Sequence, residues 1–157
     1  MVREVDEDEW ELLRDVRLAA LRDAPEVFGS TYAREAPFTE EQWRGRLGSG
    51  GRVTFFADSG DVVPAGLAGV YVKGGAAHLV SMWVRPSARG LGAGQALIAA
   101  AADWAKARGC DTLYLWVTEA NTAARRLYGR SGFTATGERQ PLPSDPSVPE
   151  LQMCLPL

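Results

Sequence analysis

The run Arg89-Gly90-Leu91-Gly92-Ala93-Gly94 lies between a segment of strand character and one of helical character, and its residue types suit chemistry best. Glycines at such a junction let the backbone turn sharply and come close to a ligand. The first turn of a helix adds unpaired N–H donors and the positive end of its dipole. Together these hold an anion, phosphate above all. A nucleotide P-loop requires Gly-Lys-Ser/Thr, whereas Gly94 is followed by Gln95 and Ala96. A dinucleotide fingerprint starting at Gly90 would put its third glycine on Gln95, and one starting at Gly92 would put it on Leu97, so neither fits. What survives is Arg-x-x-Gly-x-Gly, with Pro86 three residues before Arg89. A tight structural turn needs the same glycines, and the loop alone does not separate the two readings.

The elements that must position this loop follow from periodicity. Val2 to Val5 predicts a short strand, and Asp6 with Glu9 forms a capping box ahead of a helix carrying Trp10, Leu13, Val16, Arg17, Ala20 and Leu21. Pro25 stops it. Thr39 with Gln42 opens a second helix through Trp43 and Leu47, ended by Gly48-Ser49-Gly50-Gly51. The period then changes to strands at Val53 to Ala57 and Val62 to Val72, with Asp58-Ser59-Gly60-Asp61 as hairpin turn and Pro64 implying an edge or bulge. Gly74-Gly75 turns the chain into a strand from Ala77 to Val84. Leu91 to Arg108 has a helical apolar face, with Gly109 as its C-terminal stop. Thr112 to Val117 reads as a strand covered on both sides. Asn121 caps a helix carrying Ala124, Leu127 and Tyr128, and Phe133 to Gly137 and Glu150 to Leu155 close the chain as strands. Pro141 to Pro149 reads as a stiff surface loop. The expected order is β-α-α-β-β-β-α-β-α-β-β, an α/β arrangement of one mixed sheet flanked by helices in a single domain over residues 1–157.

Composition excludes several classes. With 157 residues, 46% hydrophobic and 24% charged, the chain is long enough to bury a core unaided and is not of disordered type. Its net charge of −3 lacks the basic excess of a nucleic-acid or acidic-membrane binder. Lys73 and Lys106 are the only lysines, so arginine carries nearly all the positive charge. Cys110 and Cys154 are too few for a disulfide framework and read as free thiols. The acidic opening lacks an apolar signal core and no stretch is long enough to span a bilayer, so a soluble cytoplasmic protein is expected. No metal is called for.

A second motif, Asn121-x-x-Ala124-x-x-Leu127-Tyr128-x-x-x-Gly132-Phe133, falls on the next helix after a strand. Together the two motifs, from about His78 to Gly137, resemble the GNAT superfamily of acetyl-CoA-dependent N-acetyltransferases. More narrowly, the Ser-Met-Trp-Val strand and Pro-rich final loop are similar to those of small bacterial members of undefined substrate. The resemblance implies a GNAT-like acyl-CoA N-acyltransferase fold. In it the strand before the glycine loop splays from its neighbour, and pantetheine lies in the gap against the main chain of Met82, Trp83 and Val84. It implies that amides of Gly90, Leu91, Gly92, Ala93, Gly94 and Gln95 hold the pyrophosphate, with Arg89 adding a charge-assisted contact. Asn121 would both cap its helix and touch CoA.

Transfer in this family proceeds by direct amine attack on the thioester, whose carbonyl is polarised by a main-chain N–H near Trp83 or Val84. Tyr128 matches the tyrosine that protonates the departing thiolate. His78, the only histidine, stands where many members carry a glutamate base. A neutral imidazole with an ordinary pKa of about 6.5 can deprotonate an ammonium directly or through water. Alternation would put His78, Val80, Met82 and Val84 on one face. A second family position for a glutamate base is Trp116 here, which leaves Glu119 as the fallback. The acceptor cleft is expected from Phe28 to Tyr32 and Gln140 to Pro149, with Tyr32, Phe38 and Trp43 as candidate lining and Asp145 or Glu150 attracting a cationic amine. The implied partners are acetyl-CoA and an amine-bearing acceptor, and a homodimer is compatible with an exposed edge near the last strand. An acyl-CoA sensor without transferase activity is the alternative, kept open by the departure at His78. A dinucleotide-binding domain is excluded by Gln95 and Leu97.

Overall fold

The computed structural model describes residues 1–48 and 50–157, so Ser49, within the stretch expected to end the helix after Thr39, lies outside the described residues. Among the described residues seven strands form one sheet in the order β1-β2-β3-β4-β5-β7-β6. These are β1 (Val2–Glu4), β2 (Arg52–Ala57), β3 (Gly66–Lys73), β4 (Ala76–Val84), β5 (Thr112–Thr118), β6 (Thr134–Leu142) and β7 (Asp145–Pro156). Neighbours run antiparallel except β4 and β5, which are parallel. The parallel step requires a crossover, which α4 (Ala93–Ala107) makes; α5 (Thr122–Arg130) follows β5. α1 (Trp10–Asp23), α2 (Tyr32–Glu35) and α3 (Glu40–Arg44) precede β2.

Both predicted capping boxes form: Asp6 with Glu9 opens a single 3-10 turn leading into α1, and Thr39 with Gln42 opens α3. α2 is an additional element, one turn long, capped by Thr31. Four residues carry too little periodicity to be read in advance. The two faces of the sheet bury separate clusters. α4 covers Phe55, Val70, Leu79, Leu113 and Leu115 on one side, while α1 and α3 cover Phe56, Leu67 and Trp83 on the other. Leu97 and Ala101 of α4 are wholly buried, and each such leucine contributes about 2 kcal/mol by leaving water.

α3 ends at Arg44 rather than running through Leu47, α4 begins at Ala93 rather than Leu91, and two larger departures concern the strands. β3 begins at Gly66 rather than Val62, because Pro64 has no N–H for the ladder; Val62 and Val63 are exposed, and Arg85 ties this loop down through Asp61 at 2.7 Å. The stretch Pro141 to Pro149 is not a loop. It forms the ends of β6 and β7, which turn at Pro143-Ser144. Prolines are tolerated there because β6 is the sheet edge and β5 ends at Thr118, opposite Glu150; beyond it Pro149 only accepts, from the Glu119 N–H at 2.9 Å, and β7 residues 145–148 have no strand partner on that side. This two-stranded arm reaches the α1–α2 connection, where Ser144 Oγ donates to the Phe28 carbonyl and Pro143 packs on Gly29.

Candidate active site

The site starts from a defect in β4. Leu67 faces Trp83 and Gly69 faces Val80, so Ala68 alone faces Ser81 and Met82, a bulge of one residue. Ser81 has φ of 58°, the only non-glycine residue with positive φ among those described. Arg17 of α1 donates from Nη1 to Ser81 Oγ at 3.1 Å and holds the residue there. The bulge reverses the strand's alternation. His78 and Val80 face the α1 side, while Met82 and Val84 pack with α4, against the expectation of one shared face.

The bulge also parts the sheet. Among the described residues β4 and β5 pair only at Ala77 with Leu113 and His78 with Tyr114, and beyond that point the strands diverge. The gap is a cleft of about 600 Å³. One wall is Leu79 to Val84 and the other Leu115 to Thr118, and the glycine loop, the start of α4 and α5 close its end. Trp83 lies on the β3 side of its strand, its carbonyl so close to Gly66 that a side chain there would collide with it. Backbone groups alternate sides along a strand, so Val84 presents its N–H and C=O to the gap.

Gly90 and Gly92 have φ of 78° and 90°, a left-handed region costly for residues with a Cβ. They set the chain into α4, whose first helical bond runs from the Ala96 N–H to the Gly92 carbonyl at 3.0 Å. The amides of Ala93, Gly94 and Gln95 therefore have no acceptor within the helix. Gly94 serves close packing: a Cβ on it would lie 2.9 Å from Leu127 Cδ2 and 3.4 Å from Met82 Cε. Asn121 caps α5 as expected, its Oδ1 accepting from the Ala124 N–H at 3.2 Å.

Of the residues singled out in the sequence, Met82, Trp83, Val84, Arg89, Gly90, Gly92, Ala93, Gly94, Gln95, Asn121 and Tyr128 line this cleft. Leu91 and His78 are not among the lining residues. The Leu91 side chain is 80% exposed, so only its backbone belongs to the loop. Arg89 spans the cleft mouth, donating from Nε to the Val84 carbonyl at 2.9 Å and from Nη2 to Asp23 Oδ2 at 3.0 Å. The Trp83 indole donates to the same Asp23 oxygen at 3.0 Å.

Tyr128 is buried in the wall of the cleft, edge-on to Phe133 with ring centroids 5.7 Å apart. Burial pushes its phenol well above the ordinary value of 10.0. His78 stands at the closed end of the gap, stacked between Tyr71 at 4.9 Å and Tyr114 at 5.7 Å. Burial first, and then the charge of Lys73, lower its pKa below 6.5. Glu119 is tied to Arg139 at 2.7 Å.

Glu150 is the residue that sequence reading undervalued. It is buried opposite Thr118, accepts a hydrogen bond from Gln140 at 3.1 Å, and burial raises its carboxyl above the usual range. It stands at the first position of the expected last strand, where spacing alone gives no sign of burial. Of the expected acceptor residues, Phe28 lines the cleft, while Trp43 is fully buried in the core under α1 with Phe38 packed edge-on against it. Among the described residues no cluster of three His, Cys, Asp or Glu side chains could hold a metal, and no helix is long and apolar enough to cross a membrane.

Splayed strands, a glycine loop capping the crossover helix and a buried tyrosine on the next helix define an acyl-CoA N-acyltransferase architecture. Residues 11–133 match the Acetyltransferase (GNAT) family, and the chain belongs to it. Over 130 residues the chain is 35% identical to a mycothiol acetyltransferase of Stackebrandtia nassauensis, a match covering 81% of this chain and 41% of that protein. The structure of a GCN5-related N-acetyltransferase from Kribbella flavida is 27% identical with a TM-score of 0.74, over 100% of this chain and 97% of that one. A nourseothricin acetyltransferase is 31% identical with a TM-score of 0.64, over 68% of this chain and 66% of that one. The chain spans less than half the length of the curated relatives it matches.

Proposed function

We propose that the protein transfers the acetyl group of acetyl-CoA to a primary amine by direct attack within a ternary complex. The observation that carries this reading is the gap between β4 and β5, which opens onto both the free amides of α4 and the phenol of Tyr128. Pyrophosphate oxygens would take the N–H groups of Ala93, Gly94 and Gln95 and the loop before them, at the positive end of a helix. Arg89 would exchange one oxyanion, Asp23, for another. Pantetheine would run along the Val84 side of β4, and a main-chain N–H there would bond the thioester oxygen as it gains charge. Asn121 lies at the same wall.

The amine nitrogen attacks the carbonyl carbon, a tetrahedral intermediate forms, and the C–S bond breaks. The sulfur takes the Tyr128 proton. A phenol with a raised pKa is a workable donor because the same dry surroundings make a thiolate more basic. The ammonium proton leaves through water to His78, which its lowered pKa keeps neutral at pH 7. The place of Tyr128 in the cleft wall supports a transferase over a sensor, since holding CoA alone needs no proton donor there.

Thermal unfolding with acetyl-CoA, against NADH and ATP as controls, tests the donor site. At a hundred times the dissociation constant, binding adds about 2.7 kcal/mol of stability. Release of CoA thiol that depends on an added amine then tests transfer. Tight CoA binding with no release across a broad amine panel would favour the sensor instead.

A further inference from the structure

On the α1 side of the bulge a second cavity of about 280 Å³ opens, and Val80 and Ser81 line both it and the CoA cleft. Three arginines enter its wall from three elements: Arg17 of α1, Arg46 just after α3, and Arg52 at the start of β2. One carboxylate opposes them. Glu35 is wholly buried and binds Arg17 twice, Nε to Oε1 at 3.0 Å and Nη2 to Oε2 at 3.1 Å, and it also pairs with Arg46 at 3.0 Å. Arg52 has no ion-pair partner among the described residues and lies opposite Tyr71 in the β2–β3 register, with the Tyr71 side chain beside it in the cavity wall. Three guanidinium groups against one carboxylate leave an excess of positive charge in a protein whose net charge is −3.

We infer that this cavity is the acceptor's second anchor: it binds a carboxylate or phosphate carried by the same molecule that presents the amine to the thioester. The inference rests on the transferase reading above. Guanidinium forks match both oxyanions in planar, bidentate geometry. Arg17 is committed to Glu35 and Ser81, so it fixes the cavity, and Arg52 together with the N–H groups of Arg46 not turned to Glu35 supplies the donors. Arg46 is also braced between the rings of Phe38 and Trp43, at 5.2 and 5.1 Å, so it arrives ordered. Its pKa is lowered, by burial first, with repulsion from Arg17 and Arg52 adding to it, and an arriving anion would relieve that repulsion. The two cavities share Val80 and Ser81 in their walls, so an acceptor anchored in one lies beside the other. A purely cationic acceptor such as a polyamine would meet like charge here. An amino acid or an amine bearing a phosphoester would meet its complement.

The test has a binding arm and a transfer arm. In the first, succinate and inorganic phosphate are titrated while the arginine Nε–Hε resonances are followed by NMR, in the wild type, Arg46→Gln and Arg52→Gln. Saturable shifts are expected in the wild type, with affinity about tenfold weaker in Arg52→Gln for one lost charge-assisted pair. In the second, kcat/KM is measured for ω-amino acids of graded length and for alkylamines matched to them. The ratio of anionic to neutral acceptor should exceed one, peak at one chain length, and fall by about tenfold in Arg52→Gln. Transfer with no such ratio, or a ratio untouched in both variants, overturns the inference and leaves the transferase standing. Saturable anion binding without transfer to any amine overturns the acceptor role together with the transferase reading.

Discussion

Arg17 on α1 donates to Ser81 Oγ at 3.1 Å, and Ser81 is the residue that β4 holds at φ of 58°. A helix on one face of the sheet thus pins the strand defect beside which the cleft opens. Left-handed backbone costs a residue with a Cβ about 1–2 kcal/mol, so the defect needs an external hold.

Removing Arg17 should therefore act on stability and on the cleft at once. Arg17→Met leaves Glu35 buried with Arg46 as its remaining ion pair, and loss of about 3 kcal/mol is expected in urea denaturation. Acetyl-CoA affinity should fall with it. An unchanged denaturation midpoint would show that Glu35 is neutralised by other means.

Glu35 also sets an acid limit. Burial alone would raise its pKa, but the hydrogen bonds and charge of Arg17, with Arg46, bring it down from 4.5 to about 2. A lowered folded value means that its contribution is complete above pH 4.5 and fades as pH falls from there towards 2. Unfolding midpoints measured across that window should drop in the wild type, and the drop should be shallower in Glu35→Gln.

Tyr128→Phe should reduce turnover by about a hundredfold or more while leaving acetyl-CoA affinity nearly intact. Stopped-flow thiol release and calorimetric titration separate the two. Wild-type turnover in this variant would remove Tyr128 from the proton path.

The rate should rise with pH through a limb below the ordinary imidazole value of about 6.5, because the acceptor of the proton must be unprotonated and His78 is shifted down. In His78→Gln that limb should vanish. If it persists, the base is another group, and Glu150, raised by burial, is the first to replace.

Gly92→Ala tests the loop by backbone strain alone, since a Cβ there meets nothing within 4 Å. Its φ of 90° predicts about 1–2 kcal/mol of lost stability and a smaller acetyl-CoA-induced rise in melting temperature. A full-sized rise would mean that the loop amides do not hold the cofactor.

What the sequence disclosed was local physics. Glycines at 90, 92 and 94, the boxes at Asp6 and Thr39, and the cap at Asn121 act over three or four residues and are visible as spacing. The bulge is different. Ser81 adopts its conformation because a guanidinium 64 residues away bonds its hydroxyl, and alternation read along β4 cannot see that contact. The same holds for the arginine cavity, whose three guanidinium groups come from separate elements, and for Glu150, buried only because the proline-rich stretch pairs as an edge arm. His78 sits in the expected strand, yet pairing across three strands stacks it, half-buried, between Tyr71 and Tyr114.

The phase reversal at Ser81 makes β4 a divisible strand. Before it, the residues facing α1 border the arginine cavity and the aromatic stack; after it, those facing α4 border the donor cleft. Under the reading proposed above, variation at Arg46 or Arg52, which line the arginine cavity and not the donor cleft, can retune which acceptor is taken without disturbing Met82 or Val84, and so selectivity can drift while the contacts to CoA stay constant.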